Sequence, residues 1–335
     1  MNNLGDTKDK DDMHGTCYKL SMIVPVYNNG LYLYGKAFSS LLRSSMFGEI
    51  EILLVDDGST DGTTQYYVKL LESQYPNVRA YLFSDGGSGS ASRPRNKGVE
   101  LSSAKYIAFL DPDNEACGDG YANLYKVADR EQCDLVIGNM ITFRENAQNL
   151  DFYRLMTGFY QTDLITDDKK EFLRKTNYYP MSIQAKIIEK SLIIDNALTQ
   201  VVGAVGQDSL FSIQLMYYAN RIKLVELPIH YYYALRDGST VNSLGSSYFK
   251  KQWLLEKEQL HWLASEDLVG DYMDTRFARF FKGWMFPKLA DSRKDEYASC
   301  RKIVYETFAL YEKFYKWNDP KINEFANNCR NDGMD

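Results

Sequence analysis

Disulfide and zinc chemistry have little to work with in this chain. Its five cysteines (Cys17, Cys117, Cys133, Cys300, Cys329) are odd in number and form no C-x-x-C pair, which argues against a disulfide scaffold or a zinc cluster and for a reducing, cytoplasmic setting. No run of about eighteen apolar residues occurs, so no helix is expected to span a bilayer. The opening segment MNNLGDTKDKDDMHG has no apolar core, and no secretory leader is expected. Basic residues are outnumbered, 39 Lys and Arg against 45 Asp and Glu for a formal charge of -6, so nucleic acid is not an expected partner. A peripheral contact with the inner face of a membrane and a homo-oligomer both stay open.

What is present is ample material for a core. The 335 residues are 44% hydrophobic and include 26 Tyr, an aromatic load that must fill a core or line clefts that hold polar rings. From Leu20 the pattern turns regular. The β-branched run Leu20 to Val26 reads as a strand buried on both faces. Leu33, Ala37, Leu41 and Leu42 follow at helical spacing, then a strand from Ile50 to Val55. The unit repeats with a helix after Asp61, a strand at 78–83, a helix from about Asn96 to Ser103 and a strand at 106–110. Such alternation predicts an α/β fold with an open, mainly parallel sheet between helices and ligands at the carboxyl ends of its strands.

From about Tyr248 the pattern becomes helical. Phe277, Phe280, Phe281, Trp284 and Met285 form one apolar helix face, expected to pack on the main domain, and Pro287 is expected to end that helix. The division predicted is a disordered polar segment over 1–18, one α/β domain over 19–240 with halves at 19–117 and 118–240, and a helical region over 241–335.

The residues that can carry chemistry fall at strand ends. Asp111-Pro112-Asp113 places two carboxylates two residues apart after an apolar strand, and such hard oxygen ligands suit Mg²⁺ or Mn²⁺, which can clamp a diphosphate. Alone, an acidic turn of this kind does no more than cap the next helix. Three further segments change its meaning. Pro25-Val26-Tyr27-Asn28 ends the first strand, and Asp56-Asp57-Gly58-Ser59-Thr60-Asp61 ends the second with an Asp placed to accept a hydrogen bond from a ring N–H. Ser92-Arg93-Pro94-Arg95-Asn96-Lys97-Gly98 opens a helix whose N–H groups and guanidinium suit phosphate.

In the order P-V-Y-N, D-D-G-S-T-D, R-N-x-G, F-L-D-x-D, these segments resemble the family 2 glycosyltransferases of the GT-A fold, among them Gram-positive enzymes of surface-glycan and teichoic-acid synthesis. The resemblance implies that Pro25, Tyr27 and Asp57 form a uridine pocket and that Arg95 lies near the diphosphate. It implies that Asp113 binds a Mn²⁺ or Mg²⁺ ion directly, with Asp111 nearer the ribose or sugar. Pro94 and Asn114 depart from the commonest pattern without removing a ligand. Val205-Gly206-Gln207-Asp208 is similar to the family's G-E-D element, which makes Asp208 the implied catalytic base. Without that context, Asp208 reads as a helix cap.

Arg236, in a Y-x-x-R-x-G-S-like segment, is implied to pair with the diphosphate, with Ser239 beside it, while an edge strand ending in a turn explains the same residues. His230 has the alternatives of metal ligand and packed side chain. Tyr178, Tyr179 and Met181 are placed near the cleft. The implied reaction is metal-dependent, inverting transfer of a hexose or N-acetylhexosamine from a UDP-sugar to a hydroxyl of a glycan, polyol-phosphate polymer or glycoprotein. The alternative is a non-catalytic partner subunit of a glycosyltransferase complex. Gly87-x-Gly89 lacks the third Gly of a dinucleotide fingerprint, and no G-x-x-x-x-G-K-[ST] occurs, so a dehydrogenase and a P-loop NTPase are set aside.

Overall fold

A computed structural model of the chain describes residues 18–143, 147–166, 169–179, 181–233 and 244–334. The expected disordered segment therefore lies outside the described residues except for Tyr18, and so do Arg236 and Ser239. Strands β1 (Leu20–Val26), β2 (Ile50–Asp56), β3 (Val78–Leu82) and β4 (Tyr106–Phe109) are followed by β5 (Glu115–Ala116), β6 (Leu135–Phe143), β7 (Ala147–Leu150), β8 (Leu164–Ile165), β9 (Lys186–Glu189) and β10 (Ile222–Tyr233). They form one sheet in the order β3-β2-β1-β4-β9-β6-β10-β5, with β7 on β6 and β8 on β10. The first four strands pair in parallel, as do β6 and β10. β9 runs antiparallel between β4 and β6.

Every residue of β1 and β2 is buried, which is why both read as unbroken apolar runs rather than alternating ones. Their register sets Val26 opposite Asp56, so the turns that begin at Tyr27 and Asp57 leave the sheet side by side. The helix carrying the R-N-x-G segment spans Ser92–Leu101 and thus starts four residues before the expected Asn96. Pro94 does not delay it, because in a helix's first turn a missing N–H costs no intrahelical bond. Gly98 brings this helix down onto β1: a Cβ there would lie 2.3 Å from Ile23 Cγ2.

The helical region begins at Ser246–Ser265 and ends with Tyr297–Tyr311 and Pro320–Asn331. Between them a continuous helical stretch runs from Val269 to Ala290, with π-type turns at Met273–Phe277 and Phe281–Met285. Pro287 does not end it. It falls in the first turn of the segment Phe286–Ala290, just after a π turn has widened the backbone, where a missing N–H is tolerated. Phe277, Phe280, Phe281 and Met285 are buried as the periodicity predicts, but Trp284 is 43% exposed. Tyr272 meets Tyr178 edge to face at 5.5 Å, and Trp262 meets Tyr217 at 5.6 Å, so the helical region docks on the α/β domain through rings. Among the described residues no helix is long and apolar enough to cross a membrane.

Inside this junction lies a buried acid. The Glu256 carboxyl accepts hydrogen bonds from Tyr311 Oη at 2.9 Å, Gln252 Nε2 at 3.0 Å and Gln259 Nε2 at 3.1 Å. Burial nevertheless pushes it from 4.5 up to about 7.

Two expected outcomes follow from this packing. Gly98→Ala costs about 1–3 kcal/mol of stability, the range for an overfilled core, and costs less in an Ile23→Ala background. Urea unfolding of the double-mutant cycle measures that coupling, and strict additivity would refute the contact. Because the folded-state value of Glu256 is raised, its stabilising contribution is complete below pH 4.5 and is lost as pH rises through about 7. The stability of the wild type relative to Glu256→Gln therefore declines across that window, as paired denaturation curves will read.

Candidate active site

The strand-end turns are knitted together before any ligand is considered. Asn28 Oδ1 accepts from the backbone N–H of Thr60 at 2.8 Å, and Ser59 Oγ accepts from the N–H of Asn28 at 2.8 Å. Asp56 is fully buried and accepts from Ser59 Oγ at 2.5 Å, so the first Asp of the D-D-G-S segment is an internal brace. Burial raises its carboxyl above the ordinary value, with the Ser59 bonds opposing. Gly58 has φ +81°, and a Cβ there would lie 2.7 Å from the Gly86 backbone, so only glycine fits the turn that presents Asp57.

Asp57 Oδ2 accepts from Ser88 N at 2.7 Å and Ser88 Oγ at 2.8 Å, while Oδ1 takes Arg93 Nε at 2.6 Å. Arg93 also bonds Asp85 at 2.8 Å and lies 4.1 Å from the Phe83 ring centroid. Two residues on, Arg95 Nη2 donates to Asp111 Oδ1 at 2.6 Å, and Nη1 donates to Gln200 Oε1 at 3.3 Å. Asn96 clamps the Gln200 backbone from both sides, donating to its carbonyl at 2.8 Å and accepting from its N–H at 2.9 Å. The D-x-D turn is held to β10 by Asn114 Oδ1, which accepts from Tyr233 N at 3.1 Å.

These turns wall an open pocket of about 390 Å³. Pro25, Tyr27, Asp57, Arg95, Asp111 and Asp113 all line it, so the structure brings six of the expected site residues to one cavity. Tyr27 is 45% exposed, and Gly87 lets its ring approach closely, since a Cβ at Gly87 would lie 2.7 Å from it. Asp111 and Asp113 supply two carboxylates on one turn, the donor set of a Mg²⁺-like ion whose shell is completed by a substrate phosphate. Among the described residues no group of three or more His, Cys, Asp and Glu could hold a metal alone.

Asp208 does not line this pocket. It lies in the first turn of the helix Gln207–Tyr218, whose N-cap is Gly206, and it faces a neighbouring cavity of about 360 Å³. The simple capping account therefore does not describe it. Burial raises its carboxyl above the ordinary value; the positive charge of Arg95 opposes this and the negative charge of Asp111 reinforces it. Asp208 is thus within electrostatic reach of both residues on the first pocket's wall.

Two buried titratable side chains lie nearby, Lys186 within electrostatic reach of Asp208 and His230 within reach of Asp111. Lys186, fully buried on β9, donates to the Ser182 carbonyl and is pushed down to about 7 by burial, with the charge of Asp208 opposing. His230 is fully buried, its Nδ1 is 3.1 Å from Tyr121 Oη, and burial lowers it to about 4. It therefore packs as a neutral ring, and its Nε2 has no hydrogen-bond partner among the described residues. Tyr178 is buried against the second cavity, Met181 is buried, and Tyr179 is 39% exposed.

Sequence reasoning missed Arg93, Gln200, Lys186 and Lys251. Lys251 belongs to the helix Ser246–Ser265, lines the first pocket and donates to the Gly89 carbonyl at 2.6 Å. Of these only Arg93 left a signal, as a cation inside the segment that carries Arg95.

The structure is an α/β fold with a polar pocket at the carboxyl ends of its parallel strands. The family model of glycosyl transferase family 2 matches residues 21–190, and the chain belongs to that family. It is 27% identical over 260 residues to the uncharacterized glycosyltransferase YibD of Escherichia coli K12, covering 73% of this chain and 72% of that one. It is 26% identical over 240 residues to the poly(ribitol-phosphate) beta-N-acetylglucosaminyltransferase TarP of Staphylococcus aureus N315, covering 69% of each. Among solved structures, S. aureus TarS 1–349 in complex with UDP-GlcNAc superimposes with a TM-score of 0.66 at 18% identity, covering 87% of this chain and 81% of that one. The fold is accordingly GT-A, with a helical region after the sheet.

Arg95→Gln is expected to raise the Asp208 carboxyl further, because the opposing positive charge is lost. Carboxyl ¹³C NMR titration reads this directly, and an unmoved Asp208 resonance would show that the two do not interact.

Proposed function

We propose that this chain is a metal-dependent, inverting glycosyltransferase that moves a hexose or N-acetylhexosamine from a UDP-sugar to a hydroxyl of a polyol-phosphate polymer or another bacterial surface glycan. The observation that carries the reading is the gathering of Tyr27, Asp57, Arg95, Asp111 and Asp113 in one pocket, with Asp208 set apart but electrostatically coupled to it. The donor class and the acceptor class are supported by what TarS binds and by what the name of TarP describes.

In this reading Tyr27 and Asp57 hold the uracil ring, and the Ser88 and Arg93 contacts keep the Asp57 carboxylate oriented. Asp113 and Asp111 would hold Mn²⁺ or Mg²⁺, which supplies positive charge to the departing diphosphate. Arg95 holds Asp111 in place on the pocket wall through its Nη2 donor. Arg236, outside the described residues, is assigned to the same diphosphate. Asp208 takes the proton of the acceptor hydroxyl as its oxygen bonds to the anomeric carbon; the bond from that carbon to the diphosphate breaks, and its electron pair leaves with UDP. Attack from the face opposite the leaving group inverts the configuration. The reaction places the enzyme on the cytoplasmic side, where nucleotide sugars are made.

Asp208→Asn is expected to retain UDP binding in the presence of Mn²⁺, scored by thermal shift, while transfer falls by about 10²–10⁴. Wild-type turnover in that variant would sink the assignment of the base. A wild type that neither binds UDP nor releases it from any UDP-sugar would instead favour the non-catalytic partner subunit.

A further inference from the structure

One cation reaches the first pocket from outside the α/β domain. Lys251 stands on the helix Ser246–Ser265, whose inner face is anchored by buried Phe249, Gln252 and Leu255 and by Tyr248, whose hydroxyl has no hydrogen-bond partner among the described residues. That anchorage fixes where the lysine stem begins. Its Nζ donates to the Gly89 carbonyl at 2.6 Å, and Gly89, with φ +83°, leaves room for it, since a Cβ there would lie 3.3 Å from Nζ. A lysine ammonium carries three N–H donors. Gly89 engages one, and among the described residues no carboxylate pairs with the rest.

The other cation on this wall, Arg95, is committed to Asp111 and Gln200. Asp57 follows β2 and Asp111 follows β4 with β1 between them, so the two carboxylates lie on opposite sides of the pocket. Asp57 Oδ2 accepts from Ser88 N and Ser88 Oγ, and Gly89 is the next residue of that loop. Lys251 therefore stands on the Asp57 side, away from Asp111 and Asp113.

We propose that Lys251 is a specificity-determining residue of the donor site, which donates a hydrogen bond to the C4 carbonyl of a uracil ring and so selects uridine over cytidine nucleotides. The inference deepens the function proposed above and rests on Asp57 holding the ring. Uracil offers its N3–H between two carbonyls. With that N–H on Asp57, the C2 carbonyl lies beside the glycosidic nitrogen, toward the ribose and the diphosphate on the Asp111 side. The C4 carbonyl then faces the Ser88-Gly89 loop and the ammonium upon it. Lys251 holds a carbonyl of the same kind at Gly89, so the ring needs only a second of its donors. Cytosine sets an amino group at C4, and two donors would face each other with no acceptor between them, a loss that a site built to hydrogen-bond its substrate turns into discrimination. The helical region then reads the donor's base across the domain junction.

The test titrates the full chain, with Mn²⁺ present, separately with UDP, 4-thio-UDP and CDP by isothermal titration calorimetry. Sulfur at C4 keeps the N3–H for Asp57 but accepts poorly from an ammonium. The wild type should bind UDP about tenfold more tightly than 4-thio-UDP, the effect of one hydrogen bond from a charged group. In Lys251→Met that gap should close through loss of UDP affinity, while CDP affinity holds or rises. A lysine that only steadied the loop, or one that met a phosphate, would weaken UDP and 4-thio-UDP alike. Lys250→Gln removes the exposed neighbouring lysine as a charge control and should leave all three affinities where they are.

No gap in the wild type, a gap that persists in Lys251→Met, or an equal loss in Lys250→Gln would overturn the proposal. If UDP binds in preference to CDP and that preference survives in Lys251→Met, this inference fails and the assignment of the ring to Asp57 stands. If the wild type binds CDP more tightly than UDP, or binds neither, the uridine reading of the donor fails and carries this inference with it.

Discussion

The site depends on one helix keeping two carboxylates apart. Arg93 and Arg95 are two residues from each other on Ser92–Leu101, and a helix turns by about 200° over that interval, so their side chains leave in nearly opposite directions. One reaches Asp57 beyond β2 and the other Asp111 beyond β4, on either side of β1. Gly98, on the same helix, lets it sit close enough to β1 for both reaches to be met. Asn96 ties the far side of the helix to Gln200, which in turn contacts Arg95. Helix placement, charge compensation and pocket shape are therefore one constraint. An acidic chain can still set guanidinium groups around this pocket, because its positive charge is local, supplied by side chains held in place.

Around this pair the electrostatics are graded by depth. Asp111 and Asp113 sit where water and ligand can reach them. Asp208, further in, is pushed upward by burial. Lys186 and His230, deeper still, are pushed downward by the same cause. A carboxyl raised by its surroundings is a better proton acceptor once ionised, which suits a general base. Buried Lys186 is within electrostatic reach of that carboxyl, while His230 packs against Tyr121.

Much of this was legible in the chain. The runs at 20–26 and 50–55 announced buried parallel strands because burial on both faces removes polar alternation. The Asp and Arg segments announced residues that line one pocket, because strand ends are where an α/β sheet exposes backbone and side chains to a ligand. Helix boundaries around Pro94 and Pro287 were less legible. Proline stops a helix only where an N–H is needed: Pro94 falls in a first turn, and Pro287 follows a π turn within a continuous helical stretch.

Other features had no linear signature. Tyr178, Asp208, Tyr248 and Gln252 are scattered over seventy-odd residues, and only docking of the helical region on the sheet makes them neighbours. Lys251 reaches the first pocket for the same reason. The linear order of residues is enough to determine strand, turn and helix, and with them the local chemistry of each turn, because those depend on near neighbours. Which carboxylate is paired, which tyrosine lacks a partner and which cavity Asp208 faces were decided by the tertiary structure, because burial and hydrogen bonding depend on residues distant in the chain.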